Sequence, residues 1–469
     1  MSTPTLTIDG KPVETAERFA VINPATGASF ATAPVTSPEM LDSAVTSAHA
    51  AYAGWKRDDA VRRAALLAAA DAVEAASDEL SALLTAEQGK PLSEAGLEIV
   101  LTALWLRYFG TLDLPVEVVQ DDENGYAEVH RRPLGVVAAI TPWNYPLTLA
   151  SWKLAPALRA GNTLVVKPSP YTPLATLALG EVLRGVLPPG VLNVVTGPDP
   201  LGSALTAHPL VRKISFTGST ATGKKVAAAA ATDLKRVTLE LGGNDPAIVL
   251  PDAPVAQLAR SLFWSGFMNN GQTCLAVKRI YVHEDLHDEL VDALAGVAAG
   301  VTVDAGTAPG VQLGPINNRP QFDRVSTLVK DAVANGAHVA AGGKPIDGPG
   351  YFYEPTILSN LSDGVAIVDE EQFGPALPVI SYRDVDETVA RINQGNYGLT
   401  ASVWSADPER AALVAAEVDA GQVTVNMHGG AVRPDLPFGG HKWSGIGVEN
   451  GKWGLHGFTE TQVLAGPAR

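Results

Sequence analysis

A thiol and a carboxylate stand in two glycine-containing segments near the middle of the chain. Cys274 is the only cysteine among the 469 residues and follows Gly271-Gln-Thr, whereas Glu240 precedes Gly242 and Gly243. A lone thiol cannot form an internal disulfide, so it is either a small buried hydrophobe or a reactive nucleophile. The polar, glycine-flanked setting favours the nucleophile. Acyl transfer through a thioester requires a thiol that attacks a carbonyl and a carboxylate that activates water.

A side-chain amide in residues 141–146 could serve the same reaction. Asn144 lies between Trp143 and Tyr145, and prolines near both ends of the segment restrict the backbone. A preorganised amide N–H is a good donor to a developing oxyanion. Alternatively, Asn144 could cap a helix that begins near Leu147.

Two further segments could contact a phosphate or a ribose. Residues 218–223 read Gly-Ser-Thr-Ala-Thr-Gly, and this turn follows an apolar strand and opens a helix, which offers free backbone N–H groups to an anion. The spacing is not the usual dinucleotide fingerprint, and a tight turn alone would also explain the glycines. Lys167, which precedes Pro168 at a strand end, could reach a ribose or phosphate, or could be a solvated surface lysine.

The composition is that of a globular protein with large cores. The 469 residues exceed the roughly 100 to 200 of a typical domain, so we expect two or three structural units. Hydrophobic residues make up 46% and charged residues 18% of the chain. Lys and Arg total 34 against 50 Asp and Glu, and the formal charge of −16 argues against nucleic acid or an anionic membrane as a partner.

Targeting signals are not recognised in the sequence. Residues 1–20 carry Asp9, Glu14 and Glu17 without an apolar run, and no stretch approaches the roughly 18 apolar residues of a membrane helix. No metal site is predicted. With a single cysteine, these features predict a cytoplasmic protein.

The middle of the chain alternates short apolar strands with helices. This alternation is typical of a parallel sheet covered on both faces, which binds ligands beyond the carboxyl ends of its strands. Asn144, Lys167, Ser219 and Glu240 follow such strand ends. The predicted strands are 135–140, 163–166, 191–195, 213–216 and 237–239, and the predicted helices are 147–160, 175–186 and 224–231.

Three flanking features complete the predicted organisation. Helical spacing from Leu66 to Leu84 predicts a core-facing helix. Asn124-Gly125 lies between two alternating segments and predicts the turn of a β-hairpin. After Asn244 the alternation of strands and helices resumes, which predicts a second α/β unit.

Together these segments resemble the aldehyde dehydrogenase superfamily, whose members oxidise aldehydes to acids with a nicotinamide cofactor. The resemblance covers nearly the whole chain, from Asn23-Pro24 to Ser444-Gly445. Its motifs, in chain order, are Pro142-Trp143-Asn144, Lys167-Pro168, Phe216-Thr217-Gly218-Ser219, Glu240-Leu241-Gly242-Gly243, Gly271-Gln272-Thr273-Cys274, Glu371-Gln372-Phe373-Gly374-Pro375 and Pro437-Phe438-Gly439-Gly440.

The resemblance implies a role for each motif. Cys274 would be the nucleophile, Glu240 the general base, and Asn144 with the Cys274 amide the oxyanion hole. The substrate aldehyde would pass along residues Tyr145, Trp152 and Thr273. The cofactor, NAD or NADP with NAD slightly favoured, would contact Thr141, Pro142, Trp143, Lys167, Ser169, Pro170, Gly218, Ser219, Gly223, Leu241, Gly242, Glu371 and Phe373.

The implied fold is α/β, with a Rossmann-like cofactor domain, a second α/β catalytic domain and a small β oligomerisation arm. We predict the cofactor domain at residues 1–113 and 133–243 and the catalytic domain at 244–455. The arm would comprise residues 114–132 and 456–469, and it predicts a homodimer or homotetramer.

Two positions bear on specificity. Relatives that prefer NAD usually carry a glutamate three residues after the lysine, where it binds the adenosine ribose. This chain has Pro170 there, which weakens the expected preference for NAD over NADP. Arg433, in the variable substrate loop of the family, could hold a substrate carboxylate or form a surface salt bridge.

Two alternatives to a hydrolytic dehydrogenase stay open. A CoA-acylating semialdehyde dehydrogenase would pass the acyl group to CoA, although such relatives usually lack a glutamate at position 240. A catalytically silent structural relative would keep the fold without activity. The presence of Cys274, Glu240 and Asn144 together favours the active, hydrolytic enzyme.

Overall fold

The computed structural model describes residues 4–469. Its strands are β1 (Leu6–Ile8), β2 (Lys11–Val13), β3 (Arg18–Asn23), β4 (Ala28–Pro34), β5 (Glu117–Asp122), β6 (Gly125–Pro133), β7 (Val136–Ile140), β8 (Thr163–Lys167), β9 (Leu192–Val194), β10 (Val211–Thr217), β11 (Arg236–Glu240), β12 (Pro246–Val249), β13 (Arg279–His283), β14 (His338–Ala341), β15 (Thr356–Ser359), β16 (Ala376–Tyr382), β17 (Tyr397–Gly398), β18 (Thr400–Trp404), β19 (Gln422–Val425), β20 (His441–Lys442), β21 (Gly445–Ile446) and β22 (Thr459–Gly466).

The helices pack around these strands. They are α1 (Pro38–Trp55), α2 (Asp59–Ala75), α3 (Ser77–Gln88), α4 (Leu92–Thr111), α5 (Pro146–Ala160), α6 (Leu174–Arg184), α7 (Asp199–Ala207), α8 (Thr220–Ala231), α9 (Val255–Phe267), α10 (His287–Ala299), α11 (Arg319–Ala334), α12 (Ala366–Asp369), α13 (Val385–Gln394), α14 (Pro408–Ala416) and α15 (Gly451–His456). Short 3₁₀ turns lie at Met268–Gly271 and Glu284–Leu286.

The first sheet is the predicted parallel sheet, with the strand order β2-β1-β9-β8-β7-β10-β11-β21. Strands β9, β8, β7, β10 and β11 run parallel to their neighbours, while β1 and β21 join antiparallel at the two sides. Every residue of β7 and β8 is buried, because helices cover both faces of the sheet. This explains why these strands read as continuous apolar runs in the sequence.

The second sheet confirms the predicted second α/β unit. Its order is β14-β15-β16-β13-β12-β18-β19, and its strands run parallel apart from β14 at one edge. The boundary of the first unit is less simple than predicted. Strand β21 lies in residues 244–455, yet it pairs with β11 of the first sheet through Leu239↔Ile446 and Glu240↔Gly445.

The third sheet, β22-β6-β5, is antiparallel and contains the predicted hairpin and the C-terminal strand. The turn itself differs from the prediction, because Asp122 pairs with Gly125 and the turn residues are Glu123 and Asn124. Gly125 instead opens β6, where a Cβ atom would lie 2.6 Å from the carbonyl oxygen of Gly466. The close approach of β22, rather than the turn, requires glycine there.

The helix predicted from Leu66 to Leu84 is two helices. Helix α2 ends and α3 begins at Ala76, whose N–H bonds back to the carbonyl oxygens of Ala72 and Val73. Apolar spacing continues across the break, so periodicity alone did not reveal it. None of the helices formed by residues 4–469 has both the length and the apolar character needed to span a bilayer.

Candidate active site

The site lies where four parallel strands of the first sheet end side by side. Strand register pairs Ile140 with Lys167, and it pairs Thr217 with Glu240. The segments that follow β7, β8, β10 and β11 therefore meet at one edge of the sheet, as predicted from the polar residues after each strand. The loop after α9 brings Cys274 to the same place from the second unit.

Two adjoining cavities occupy this edge, with volumes of about 410 and 610 Å³. Both volumes fall in the range of small-molecule sites. The cavities share Pro142, Trp143, Thr217, Gly218 and Ser219 as walls, so they form one cleft. The smaller cavity is further lined by Asn144, Leu149, Thr220, Ala221, Leu241, Gly242, Cys274, Gln321, Arg324, Glu371, Phe373 and Tyr397. The larger cavity includes Thr141, Lys167, Ser169, Pro170, Asp199, Lys225 and Val226.

Cys274 is a partly exposed free thiol in the wall of the smaller cavity. Its surroundings favour the protonated form, since burial raises the pKa of the thiol to about 12. The carboxylates of Asp245, Glu371 and Glu240 raise the pKa further, whereas Lys278 lowers it. The thiol therefore needs positive charge beside it to act as a thiolate.

The loop that carries Cys274 is held by the buried Lys278 and the partly buried His428, neither of which was assigned to the site from its sequence motif. Lys278 Nζ donates to the Thr273 carbonyl oxygen at 2.5 Å. His428 Nε2 lies 2.6 Å from the Leu275 carbonyl oxygen. Burial lowers the pKa of His428 to about 4, so the ring is neutral and donates from Nε2. Both flanks of the nucleophile are thereby fixed.

Asn144 does not cap the helix that follows it. The backbone N–H groups of Leu147 and Thr148 donate to the carboxylate of Glu98, at 2.9 and 3.3 Å. The Asn144 side chain instead donates to the Gln272 carbonyl oxygen at 3.0 Å, next to the nucleophile loop. The capping alternative is thus wrong, and the amide points toward the cavity that contains Cys274.

A buried ion pair anchors the main chain of Asn144. Lys90 Nζ donates to the Asn144 carbonyl oxygen at 2.8 Å and pairs with Glu98 at 2.6 Å, with both side chains fully buried. The Asn269 amide donates to the same carbonyl oxygen at 3.1 Å. These contacts fix the position from which the Asn144 amide acts.

Glu240 ends β11 and is 3% exposed. Neither of its carboxyl oxygens has a hydrogen-bond partner among residues 4–469. Burial, followed by the charge of Glu449, raises the pKa of Glu240 well above its usual range. Buried carboxylates are ordinarily paired, so an unpaired one beside a cleft is a candidate general base.

Lys153 and Glu449 lie near Glu240 and were not predicted. They form a fully buried ion pair at 2.6 Å, and Lys153 also donates to Thr217 Oγ1 at 2.7 Å. Thr217 is the strand neighbour of Glu240. The three ionisable groups therefore form one buried network. Its members lie far apart in the chain, which is why no local motif reveals it.

The larger cavity contains the predicted ribose and phosphate residues. Lys167 ends β8, is 4% exposed and donates to the Pro168 carbonyl oxygen at 3.2 Å. Burial lowers its pKa to about 8. Ser169 and Pro170 follow in the wall of the cavity, and Asp199 lies on its other side. Lys167 is therefore a buried lysine in the cavity wall and not a solvated surface lysine.

Helix α8 opens at the junction of the two cavities. Ser219 caps it, because its Oγ accepts from the Thr222 backbone N–H at 3.3 Å. Helix N-termini of this kind stabilise a phosphate. Gly223 lies one turn further along and packs against Leu241, where any Cβ would collide with the leucine side chain. Gly223 therefore sets the packing of the helix and lies behind the cleft.

Glu371 and Phe373 complete the smaller cavity. Glu371 accepts from the Gly243 N–H at 3.2 Å, and a Cβ at Gly242 would collide with its carboxylate. The Phe373 ring meets Trp143 edge to face, with centroids 5.3 Å apart. The cleft thus offers a helix N-terminus, a buried lysine, a partly buried carboxylate and an aromatic wall, which fits a dinucleotide that carries phosphates, riboses and a flat ring.

The predicted aldehyde-lining residues line neither of the two cavities. The Tyr145 ring is 3.6 Å from Lys90 Nζ, and burial raises the pKa of Tyr145 well above its usual range. Trp152 is 3% exposed and stacks on Trp105, with centroids 5.5 Å apart. Thr273 donates to the Met268 carbonyl oxygen at 3.3 Å. A role in substrate binding stays a prediction for these residues.

Arg433 pairs with Asp435 at 2.6 Å and is mostly exposed. The salt-bridge alternative is thus confirmed for this arginine.

Comparisons with known proteins point to one family. The sequence profile of the aldehyde dehydrogenase family matches residues 12–464. A phenylacetaldehyde dehydrogenase from Pseudomonas fluorescens is 39% identical over 461 residues, which cover 95% of this chain and 91% of that one. The structure of an NAD⁺ complex of aldehyde dehydrogenase from Bacillus cereus matches with a TM-score of 0.97 at 34% identity, over 100% of this chain and 97% of that one. An NADP-dependent enzyme from E. coli matches with a TM-score of 0.96 at 34% identity, over 99% and 98% of the two chains.

The chain belongs to the aldehyde dehydrogenase family. It is an NAD(P)-dependent enzyme that oxidises an aldehyde, as its resemblance to the family predicted.

Proposed function

We propose that the enzyme oxidises its aldehyde through a thioester on Cys274 and releases the acid by hydrolysis. The observation that carries this proposal is the setting of Glu240. Its carboxyl group is buried and lacks a hydrogen-bond partner among residues 4–469, and its charge acts on the Cys274 thiol. A carboxylate with a purely structural role would be paired. An unpaired one beside the nucleophile is suited to activate water.

In the first step, Cys274 Sγ, as a thiolate, bonds to the aldehyde carbon while the carbonyl π bond breaks and its oxygen becomes an alkoxide. When the alkoxide re-forms the carbonyl, the carbon–hydrogen bond breaks, its electron pair leaves as hydride, and a thioester remains on Cys274. The Asn144 amide and the Cys274 backbone N–H supply the two donors that the alkoxide charge requires. Support comes from the anchored Asn144, whose carbonyl oxygen is bound by Lys90 at 2.8 Å and whose amide faces the nucleophile loop. The nicotinamide, when bound, supplies positive charge beside the thiol and accepts the hydride.

In the second step, Glu240 takes a proton from water while the water oxygen bonds to the acyl carbon. The carbon–sulfur bond then breaks, and Cys274 leaves as a thiolate. General-base catalysis works best when the pKa of the base lies near the working pH. Burial shifts the pKa of Glu240 in that direction, since an ordinary carboxylate is a weak base.

The cofactor would lie along the cleft with its adenosine end at Lys167, Ser169 and Pro170. Its pyrophosphate would lie at Ser219, where α8 opens, and its nicotinamide end near Glu371. We expect both dinucleotides to be accepted, with NAD only slightly favoured over NADP. The preference is weak because a proline at position 170 neither repels a 2′-phosphate nor binds the ribose hydroxyls.

Replacing the nucleophile tests this function. Cys274→Ala should abolish aldehyde oxidation while dinucleotide binding, followed by titration calorimetry, stays near that of the parent. Activity should be assayed over aliphatic, amino and aromatic aldehydes, with phenylacetaldehyde among the first because a relative is named for it. Parent-like oxidation by Cys274→Ala would refute the thioester, and a parent rate that depends on CoA would refute hydrolysis.

The third sheet supports a further proposal about assembly. Val118, Val119 and Val463 are 58%, 65% and 65% exposed on it. Exposed valines on a sheet with open edges favour association, so we propose that it joins subunits in a homodimer or homotetramer.

A cytoplasmic location is proposed on the lone cysteine, which requires no oxidising compartment.

A further inference from the structure

Lys278 is a buried ammonium that the proposed reaction does not yet use. The side chain is 1% exposed and lies four residues after Cys274, directly before the strand β13 of the second unit. No carboxylate lies within ion-pairing distance of its Nζ among residues 4–469. Its hydrogen bonds go to main-chain carbonyl oxygens, at 2.5 Å to Thr273 and 3.5 Å to Ala276.

Such a group is expensive to bury, so packing alone does not explain it. An isolated ammonium pays a large desolvation cost, and an apolar side chain of similar length would fill the same space without it. The main chain of Lys278 is fixed on both sides, since its N–H donates to Asp245 at 2.9 Å and its carbonyl oxygen accepts from Gln372 at 2.7 Å. The ammonium is therefore aimed at one place, the peptide that joins Thr273 to Cys274.

We propose that Lys278 is a positioning residue for the oxyanion hole, which holds the Thr273–Cys274 peptide so that its N–H faces the reacting carbonyl and which places a positive charge beside the nucleophile. The proposal rests on the proposed function of Cys274. A peptide unit is planar, so fixing the Thr273 oxygen also fixes the direction of the Cys274 N–H. A charged donor on that oxygen also polarises the peptide and strengthens its N–H as a donor.

The charges around Lys278 are consistent with this role. Burial lowers the pKa of Lys278, while the neighbouring Glu371, Asp245 and Cys274 favour its charged form. Lys278 in turn lowers the pKa of the Cys274 thiol, whereas Asp245, Glu371 and Glu240 raise it. Removing the ammonium should therefore leave the thiolate without its positive neighbour.

The lone cysteine allows a direct test in the full-length enzyme. Because Cys274 is the only thiol, the rate of alkylation by iodoacetamide as a function of pH reports its ionisation without any assumption about turnover. Lys278→Met removes charge and donor together, and Lys278→Gln removes the charge but keeps an N–H donor. Unit charges roughly 6 to 12 Å apart at an effective dielectric near 20 shift an equilibrium by about 10- to 100-fold.

In both variants we expect the Cys274 thiol to ionise at higher pH, and iodoacetamide to alkylate it about 10- to 100-fold more slowly near neutral pH. Their kcat should fall while dinucleotide binding stays near that of the parent, and Lys278→Gln should keep the higher kcat because it still holds the peptide. If Lys278→Met does not fold, the titration of Lys278→Gln decides the question alone.

Lys235 supplies the matched control. It is also buried, and it donates to the carbonyl oxygens of Thr206 and His208 at 2.8 and 2.7 Å. It lies just before β11, at the strand end opposite Glu240. Lys235→Met should not change the pH dependence of Cys274 alkylation. An unchanged titration in both Lys278 variants, or an equal shift in Lys235→Met, would overturn the role of Lys278. If alkylated parent enzyme keeps its turnover, Cys274 is not the nucleophile and both proposals fail.

Discussion

A carboxylate at position 170 should turn the enzyme toward NAD. Pro170 is partly exposed in the wall of the larger cavity, on the segment that follows Lys167. Lys225 lines the same cavity and can attract a 2′-phosphate, while Asp199 is the acidic residue there. Because proline brings neither charge nor a hydrogen-bond acceptor, we expect the parent to accept NADP measurably beside NAD, with NAD slightly better.

The size of the change follows from electrostatics. The 2′-phosphate adds nearly two negative charges, and one unit-charge repulsion at about 4 Å with an effective dielectric near 20 is worth roughly 4 kcal/mol. Partial exposure of position 170 lets salt and water screen this repulsion, so about 1 to 2 kcal/mol should remain. A hydrogen bond from a ribose hydroxyl to the new carboxylate adds about 0.5 to 1.5 kcal/mol for NAD. The two effects together are worth about 1.5 to 3.5 kcal/mol, so Pro170→Glu should raise the NAD preference about 10- to 400-fold.

The assay is kcat/KM for each dinucleotide at a fixed, saturating aldehyde concentration. Pro170→Gln is the control, since glutamine matches glutamate in size and accepts a hydrogen bond but has no charge. It should move the ratio of NAD to NADP by less than Pro170→Glu does, and the difference should shrink at high salt. A parent that already excludes NADP as strongly as Pro170→Glu would show that selectivity lies elsewhere in the cleft.

Three further predictions concern stability, pH and assembly. Glu98→Gln should lower the free energy of unfolding by about 3 to 5 kcal/mol, read by thermal melting, because it leaves the Lys90 ammonium buried without its partner; an unchanged melting temperature would contradict this. Burial raises the pKa values of Glu240 and Cys274, so both groups gain their reactive, deprotonated forms as the pH rises. We therefore expect kcat to increase from neutral to alkaline pH. A kcat that falls over that range would exclude this assignment. Deleting residues 458–469 removes β22 and should give monomers or insoluble protein in size-exclusion chromatography; an active oligomer of native size would argue against the subunit role of the third sheet.

The sequence revealed the parts of the fold that local patterns determine. Strands β7 and β8 were readable because burial on both faces makes them continuously apolar. The break at Ala76 was hidden, since apolar residues keep their helical spacing across it. Likewise, Asn124-Gly125 matched a common turn dipeptide, yet the glycine is required by the approach of Gly466 from a strand more than 300 residues away.

The candidate site likewise contains residues that local motifs reveal and residues that only the folded chain reveals. Cys274 and Glu240 stand in recognisable motifs, whereas Asn144 was ambiguous between a cap and an oxyanion donor. Its role depended on Glu98, which caps the helix from a separate element. Lys278 stands beside a second charged residue, Arg279, and in no recognised motif, and its partner, the Thr273 carbonyl oxygen, is visible only in the folded chain.

Trapping the acyl-enzyme tests the central claim most directly. Glu240→Gln keeps the size of the side chain and removes the base, so deacylation should slow by about 10²- to 10⁴-fold while the first step proceeds. Mixing this variant with aldehyde and dinucleotide should release one equivalent of reduced cofactor per active site and then stall. Intact mass spectrometry should show the acyl group, and peptide mapping should place it on Cys274. Steady turnover at the parent rate, or an acyl group on any other residue, would contradict the account.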